Sequence, residues 1–469
     1  MPSLSDLPVR ADRHEGAPAA SQVMALIAKY DRRVPRYTSY PTAAQFGPGV
    51  GNAEYRSWLS ALARGQPVSL YVHVPFCAQL CWYCGCHTGV VHRHAPIAHY
   101  AEALASEIGL VAAAAPELRI ANLHFGGGTP NMLSLQDLEL LSGALEQRFD
   151  MLPGCEIAAE LDPRLLTEEW IAAAVAHGMT RASLGVQDLA PAVQAAINRR
   201  QSYDMVAWAV AALREAGIAS VNLDLMYGLP RQTVDGVLAT AEQVLALEPD
   251  RIALFGYAHV PWMKAHQKLI KDEDLPGPFE RFAQQQAIAE RLERAGYLRI
   301  GLDHFARRDD PLAAVAMRGE ARRNFQGYTT DAAEVLIGVG ASSISHLPQG
   351  YAQNVTAVPA WRQRILAGEL ATARGIAPSA EDRFRSDLIE RLMCDLRLDL
   401  GALCRQHGRA MSSLSAELER LEDFAADGLL RCAGGRIEVT ELGRPFIRSV
   451  CAVFDRHLRP QEGRHANSI

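Results

Sequence analysis

The sequence predicts an α/β fold: a partial (β/α)6 TIM-like barrel with an N-terminal arm and a mainly helical C-terminal domain. Three observations predict it. Six short apolar, β-rich runs between residues 69 and 257 alternate with helical runs, the pattern of a parallel sheet with right-handed crossovers. Polar residues and glycines gather just after those runs, where barrels of this kind carry their chemistry. Beyond about residue 370 the alternation gives way to helices and one hairpin. A length of 469 residues suits two or three domains.

The elements follow in order. Residues 1–22, rich in Ala, Pro and Ser, are predicted to be mobile. Two prolines make 34–42 extended. Strands are expected at 69–74, 120–125, 156–161, 181–186, 220–226 and 251–257. Helices are expected at 97–114, 134–149, 167–177, 204–216, 234–247 and 279–295. In the C-terminal part, helices at 383–396, 414–427 and 441–454 and a hairpin at 429–439 turning on Gly434-Gly435 suggest a winged-helix-like module. The expected division is an arm over 1–61, a barrel core over 62–300, a connecting segment completing the site over 301–370, and a lid domain over 371–469. Gly338-Val-Gly340 superficially matches a dinucleotide fingerprint. It has Ser343 where a third glycine belongs and follows no clear strand, so it is discounted.

Composition excludes several classes of function. A formal charge of −6 argues against nucleic-acid binding through the overall field, and charge in the winged module is balanced, which favours a lid over a DNA reader. An anionic ligand would need a local cluster of cations. No apolar run is long enough to span a bilayer and no signal-peptide block opens the chain, so the expected compartment is the cytoplasm, with reduced thiols.

Four of nine cysteines fall between 77 and 86. Cys77, Cys81 and Cys84 form C-x3-C-x2-C on a loop after the first strand, and Cys86 follows. Such spacing in a reducing compartment means metal. Three thiolates on a [4Fe–4S] cube would leave one iron free for a small molecule. A zinc site, with Cys86 or a histidine as fourth ligand, is the alternative. Cys155, Cys394, Cys404, Cys432 and Cys451 read as small buried apolar residues. Gly126-Gly-Gly-Thr-Pro130 lets backbone approach a ligand and, lacking a following Gly-Lys-Ser/Thr, is not a P-loop. Glu160 and Asp224 are acids in apolar strands, costly to bury unless paired or bound. Gln187 and Arg199 add polar groups to the same rim. His73 and His124 read as satisfied core residues.

The cysteine motif, with aromatic Tyr83 before its last member, resembles that of the radical S-adenosylmethionine superfamily. The resemblance narrows to the oxygen-independent coproporphyrinogen III oxidase (dehydrogenase) family through Pro35-Arg-Tyr-Thr-Ser-Tyr-Pro-Thr42, Tyr71-Val-His-Val-Pro-Phe-Cys77, Cys84-Gly-Cys86, Gly126-Gly-Gly-Thr-Pro130, Gln187, Asn198-Arg199 with Gln201, Asp224-Leu-Met-Tyr-Gly-Leu-Pro230 and Phe325-Gln-Gly-Tyr-Thr329. It implies that the barrel is of the radical S-adenosylmethionine type and that Cys77, Cys81 and Cys84 ligate a [4Fe–4S] cluster, with Cys86 beside it as a non-ligand. It further implies two S-adenosylmethionine molecules. The first would contact Tyr71, Gly127, Glu160 and Ile344, and the second Tyr83, Gly128, Thr129, Gln187, Arg199, Asp224 and Ala258. The arm would fold over the barrel mouth.

The implied reaction is anaerobic conversion of two propionates of coproporphyrinogen III to the vinyls of protoporphyrinogen IX, in haem biosynthesis. An adenosyl radical abstracts hydrogen, so no protein side chain is required as a catalytic base. Arg33, Arg36, Arg199, Arg200 and Lys264 are candidate partners for the substrate's carboxylates. The expected partners are an electron donor such as flavodoxin or ferredoxin with its reductase and an unidentified electron acceptor, with no nucleic acid and no membrane span; the expected state is a monomer. The alternative is a related haem-binding trafficking protein. Such relatives usually lack the Pro-Arg-Tyr-Thr-Ser-Tyr arm and the cysteine after Gly85, and both are present here.

Overall fold

The computed structural model describes residues 19–115, 117–459 and 465–469. The predicted mobile start lies largely outside them. Residues 20–22 of that stretch are already helical, in Ala20–Tyr30.

All six predicted strands form, and a seventh parallel strand joins them. In chain order they are β1 (Pro67–Val74), β2 (Arg119–Gly127), β3 (Asp150–Leu161), β4 (Arg181–Gln187), β5 (Ser220–Tyr227), β6 (Arg251–Gly256) and β7 (Leu336–Val339). Their order across the sheet is β7-β1-β2-β3-β4-β5-β6, with every neighbouring pair parallel. Antiparallel strands continue both edges: Ile344–Leu347, Gly350–Asn354 and Thr372–Ile376 beyond β7, and His304–Ala306 and Leu298–Ile300 beyond β6. The sheet therefore reaches 12 strands. This corrects the reading of residues 338–340, since Gly338 lies within a strand. A Cβ there would sit 2.6 Å from the Ile344 carbonyl oxygen, so close backbone approach requires the glycine.

The crossover helices start where side-chain caps allow. Ser134, Thr167, Ser202 and Thr233 each accept the N–H three residues on, satisfying a donor the first turn leaves free. Strand side chains such as Leu70, Val72, Leu184 and Leu223 are fully buried beneath these helices.

A second core joins the two ends of the chain. Val23, Leu26, Ile27 and Tyr30 pack with Phe384, Leu388, Phe424, Phe446 and Phe454, and the rings of Tyr30 and Phe424 are 4.2 Å apart. The C-terminal part holds helices Ala380–Asp395 and Ser415–Ala426 and a three-stranded antiparallel sheet that includes the Leu430–Ala433/Arg436–Val439 hairpin. Its last helix is shorter than expected, a 3₁₀ turn at Arg444–Phe446 followed by Ile447–Val453. No helix among the described residues is long and apolar enough to cross a membrane.

Candidate active site

The C-terminal ends of β1–β6 open into one cavity of about 690 Å³. The cysteine loop leaves β1 and is closed by a short parallel pairing of Phe76–Cys77 with Gly89–Val90. It is anchored from outside by Ile197, whose carbonyl accepts the Trp82 N–H at 2.9 Å, and by Asn198, which donates to the Leu80 carbonyl at 2.9 Å. Cys77, Cys81, Cys84 and Cys86 all face the cavity.

Polar groups surround the sulfurs. Thr129 donates to Cys77 Sγ at 3.5 Å, and Thr88 Oγ1 lies 3.0 Å from the same atom. Arg199 and Arg164 donate to Cys81 Sγ at 3.6 and 3.9 Å. The Cys86 N–H donates to Cys84 Sγ at 3.4 Å. Hydrogen bonding from Cys86 outweighs burial and brings the Cys84 thiol down to about 6.

The glycine run works by close approach. Gly127 has φ +111°, and a Cβ on it would lie 2.5 Å from the His73 ring. A Cβ on Gly128 would lie 2.6 Å from the Phe76 carbonyl oxygen. The end of β2 thus packs directly against the cysteine loop.

The two acids differ in state. Glu160 accepts from the Gly127 N–H and sits against His124 Nε2, each at 3.1 Å. Burial opposes its ionisation, but these contacts prevail and hold its carboxyl below the ordinary value. Asp224 accepts from Asn222 at 2.7 Å and Ser183 at 3.1 Å. Burial, reinforced by the charge of Glu160, nevertheless pushes it up to about 7. Gln187 closes β4 at φ +66°, a left-handed conformation that non-glycine residues adopt at a cost.

Tyr71, Tyr83, Gly127, Gly128, Thr129, Glu160, Gln187, Arg199, Asp224 and Ala258 therefore line one cavity with the four cysteines. Ile344 does not line it. It begins the antiparallel strand that lies next to β7. Of the basic candidates, Arg36 and Arg199 line the cavity, and Arg33, Arg200 and Lys264 do not. Arg36 and Thr38 bring the arm to the cavity mouth, and Arg36 donates to the Gly256 carbonyl at 2.7 Å.

Sequence reasoning missed several groups. His124 is part of the site, not simply a core residue. Asp162 holds Arg164 at 2.6 Å and Arg199 at 3.3 Å. It directly follows β3, so the strand-end rule that selected Gln187 could have found it. Arg323 arrives from the connecting segment, beside Phe325 of the motif quoted above. Cys394, Cys404 and Cys451 are buried as expected, whereas Cys155 is half-buried and Cys432 exposed.

The donor set fits an iron–sulfur cluster with a charged organic ligand. Soft thiolates suit iron–sulfur chemistry. Buried Arg199 Nε and Gln201 Oε1 also lack a hydrogen-bond partner, and both residues are almost completely buried.

This parallel sheet, with three cysteines on the loop after its first catalytic strand, defines the class. Residues 71–244 match the Radical SAM superfamily, and residues 379–446 match the HemN C-terminal domain. The chain is 48% identical over 440 residues to the oxygen-independent coproporphyrinogen III oxidase of Bradyrhizobium diazoefficiens, covering 94% of this chain and 98% of the relative. It is 40% identical over 440 residues to that of Pseudomonas aeruginosa, covering 92% and 95%. The solved coproporphyrinogen III oxidase (HemN) from Escherichia coli, a radical SAM enzyme, superposes with a TM-score of 0.87 at 38% identity, covering 93% of this chain and 99% of that one. The chain belongs to the oxygen-independent coproporphyrinogen III oxidase family, a family of radical SAM oxidoreductases.

Proposed function

We propose that this protein carries out the anaerobic oxidative decarboxylation of coproporphyrinogen III to protoporphyrinogen IX in haem biosynthesis. The observation that carries this is the convergence of Cys77, Cys81, Cys84, the glycine run, Glu160, Gln187, Arg199 and Asp224 on one cavity. The near full-length identity to named oxidases supports it further.

Cys77, Cys81 and Cys84 would hold a [4Fe–4S] cluster, and the cavity would receive two S-adenosylmethionine molecules. When bound, these groups would supply a 5′-deoxyadenosyl radical able to take hydrogen from a propionate β-carbon, and loss of CO2 with transfer of one electron to an external one-electron acceptor would leave the vinyl. The chain binds, orients and shields. Ionised Glu160, fixed by His124 and the Gly127 N–H, attracts an ammonium or hydroxyl group. Asp224, poised near neutrality, exchanges hydrogen bonds with a ribose. Arg199 pairs with a carboxylate through Nε, its one nitrogen without a partner. Tyr71, Gly127 and Glu160 belong to the first molecule. Tyr83, Gly128, Thr129, Gln187, Arg199, Asp224 and Ala258 belong to the second. Ile344, away from the cavity lining, reaches the first only through its neighbours.

The substrate carries four propionates and needs cations. Arg36 stands at the cavity mouth, where its guanidinium donates to the Gly256 carbonyl. Arg323, with a side chain only 6% exposed, has Nε and Nη1 without hydrogen-bond partners. These two are the preferred carboxylate anchors. The arm and the C-terminal part, which share a core, keep water from the reacting centre. The reading includes a cytoplasmic monomer that takes electrons from a flavodoxin or ferredoxin, and the need for reduced cysteines supports that compartment.

The test is anaerobic turnover of coproporphyrinogen III by the reconstituted protein with a chemical reductant, quantifying protoporphyrinogen, CO2 and methionine together. Haem binding without CO2 release would reject the reading in favour of a trafficking protein.

A further inference from the structure

The chain contains only four lysines among 47 basic residues, and three of them, Lys264, Lys268 and Lys271, fall within eight positions. That loop follows β6 and leans on the cysteine loop. Lys264 donates to the Cys86 carbonyl at 3.0 Å, His266 Nε2 lies 2.8 Å from the Cys84 carbonyl, and Gln267 donates to the Tyr83 carbonyl at 2.9 Å. Gln267 is buried and also holds the Ala258 carbonyl at 3.2 Å and the Val260 N–H at 2.6 Å, so the segment is a braced surface. Its outer side is apolar as well as basic. Trp262, Met263 and Leu269 are 49, 59 and 57% exposed, and the Arg33 guanidinium lies 4.7 Å from the Trp262 ring centroid.

We propose that this lysine loop is the docking surface for a small acidic one-electron carrier protein that reduces the cluster. The proposal rests on the reading of the cysteine loop as a cluster site. One electron leaves the partner's reduced centre, which is oxidised by one step, and enters the cluster, which is reduced by one. No covalent bond forms or breaks.

Charge and chemistry select this occupant. A chain of net charge −6 needs a local cationic spot to attract an acidic protein, and this spot is one hydrogen bond from the cysteine loop. Of the acids that follow, Asp274 lies 3.2 Å from Arg231 and Glu273 lies 3.5 Å from Lys271, while Asp272 lies 3.1 Å from His259, which offsets it only when protonated. The cationic excess therefore rests on Lys264 and Lys268, with the Arg33 guanidinium over Trp262 beside them. Among the described residues Lys268 makes no ion pair. Lysine also suits the task better than the arginine used elsewhere. It is a flexible, hydrated point charge that steers encounter without bidentate locking, and electron-transfer contacts are small and transient.

The test uses the reconstituted enzyme and an acidic flavodoxin with its NADPH-linked reductase. Binding of oxidised flavodoxin is followed by calorimetry for the parent, for the double variant Lys268→Glu/Lys271→Glu, and for Trp262→Ala. The double variant should bind about tenfold more weakly or worse, and its binding should lose most of its salt dependence. Trp262→Ala should weaken binding with salt dependence retained. All three should turn over equally with dithionite, which needs no docking surface. Equal flavodoxin binding by parent and double variant, or none by the parent, would overturn the proposal. Absence of dithionite turnover in the parent would instead count against the proposed reaction.

Discussion

The Arg199 guanidinium links a cysteine sulfur to a carboxylate: Nη1 donates to Cys81 Sγ at 3.6 Å and to Asp162 at 3.3 Å. Arg199 follows a turn at Asn198, which has φ +54°, and its side chain is 7% exposed. Hydrogen bonds to a ligand sulfur tune an iron–sulfur centre, and such supporting contacts are worth roughly 10- to 100-fold in activity. Arg199→Lys should therefore retain iron but lose on the order of tenfold in the rate of S-adenosylmethionine cleavage. The cluster's midpoint potential, read by redox titration with paramagnetic resonance, should move in the same variant. An unchanged potential would mean that the contact only supports the fold.

The cysteines should separate by role. Cys81 is buried between two arginines, whereas Cys86 is exposed to the cavity and gives its N–H to Cys84. Cys81→Ser should lose most of the iron on reconstitution and abolish cleavage of S-adenosylmethionine. Cys86→Ser should keep parental iron and sulfide content. Iron loss in Cys86→Ser would make it a ligand.

Gly128 faces main chain, whereas Gly126 and Gly127 face the side chains of Glu160 and His73. A Cβ there meets a main-chain oxygen, Phe76 O, at 2.6 Å, and backbone cannot step aside as a flexible side chain does. Gly128→Ala should push the cysteine loop off β2 and cost about 1–3 kcal/mol in stability. Iron content should fall more steeply than the melting temperature. Full iron loading with unchanged melting would show that the loop tolerates the displacement.

The legible part of this fold is the part with strong periodic contrast. The six alternations read clearly because each of β1–β6 contains a short apolar run, although β3 extends back from its run to Asp150, and Ser134, Thr167, Ser202 and Thr233 mark helix starts. The connecting segment was illegible for a physical reason. Leu336–Val339 is four residues long, and two glycines nearby mask its strand character although the backbone packing demands one of them. The shared core of arm and C-terminal part escaped because Tyr30 and Phe424 meet across nearly the whole chain, which no local pattern encodes. At the site, residues in motifs were legible. His124 was not, since its role depends on Glu160 lying on the neighbouring strand; Asp162 was open to the strand-end rule, but its pairing with Arg199, 37 residues on, was not.

Arg323 should govern substrate affinity. Its guanidinium lies 4.5 Å from the Tyr328 ring centroid and 3.6 Å from Asp303, which keeps the charge in place while Nε and Nη1 stay without hydrogen bonds. Arg323→Lys preserves the charge beside Asp303 but not bidentate geometry. The expected result is about a tenfold rise in KM for coproporphyrinogen III, with parental iron content and little change in kcat. A fall in kcat alone would assign Arg323 to the reacting centre rather than to anchoring.

Glu107 should give the fold a measurable pH dependence. It is 2% exposed on helix Ala95–Ala114. It accepts from the Gly340 N–H at 2.6 Å, Asn354 at 2.7 Å and the Trp361 indole at 3.2 Å, tying that helix to the turn after β7. Burial outweighs these donors and pushes its carboxyl from 4.5 to about 7. The folded chain thus holds a proton that the unfolded chain has released, so stability is lost as pH rises from about 4.5 to about 7 and the full loss persists above. By linkage that loss is about 3 kcal/mol. Glu107→Gln removes the titration while keeping the shape. Between pH 5 and 8 the parent's melting temperature should fall relative to that of the variant, and parallel curves would show that Glu107 stays ionised throughout.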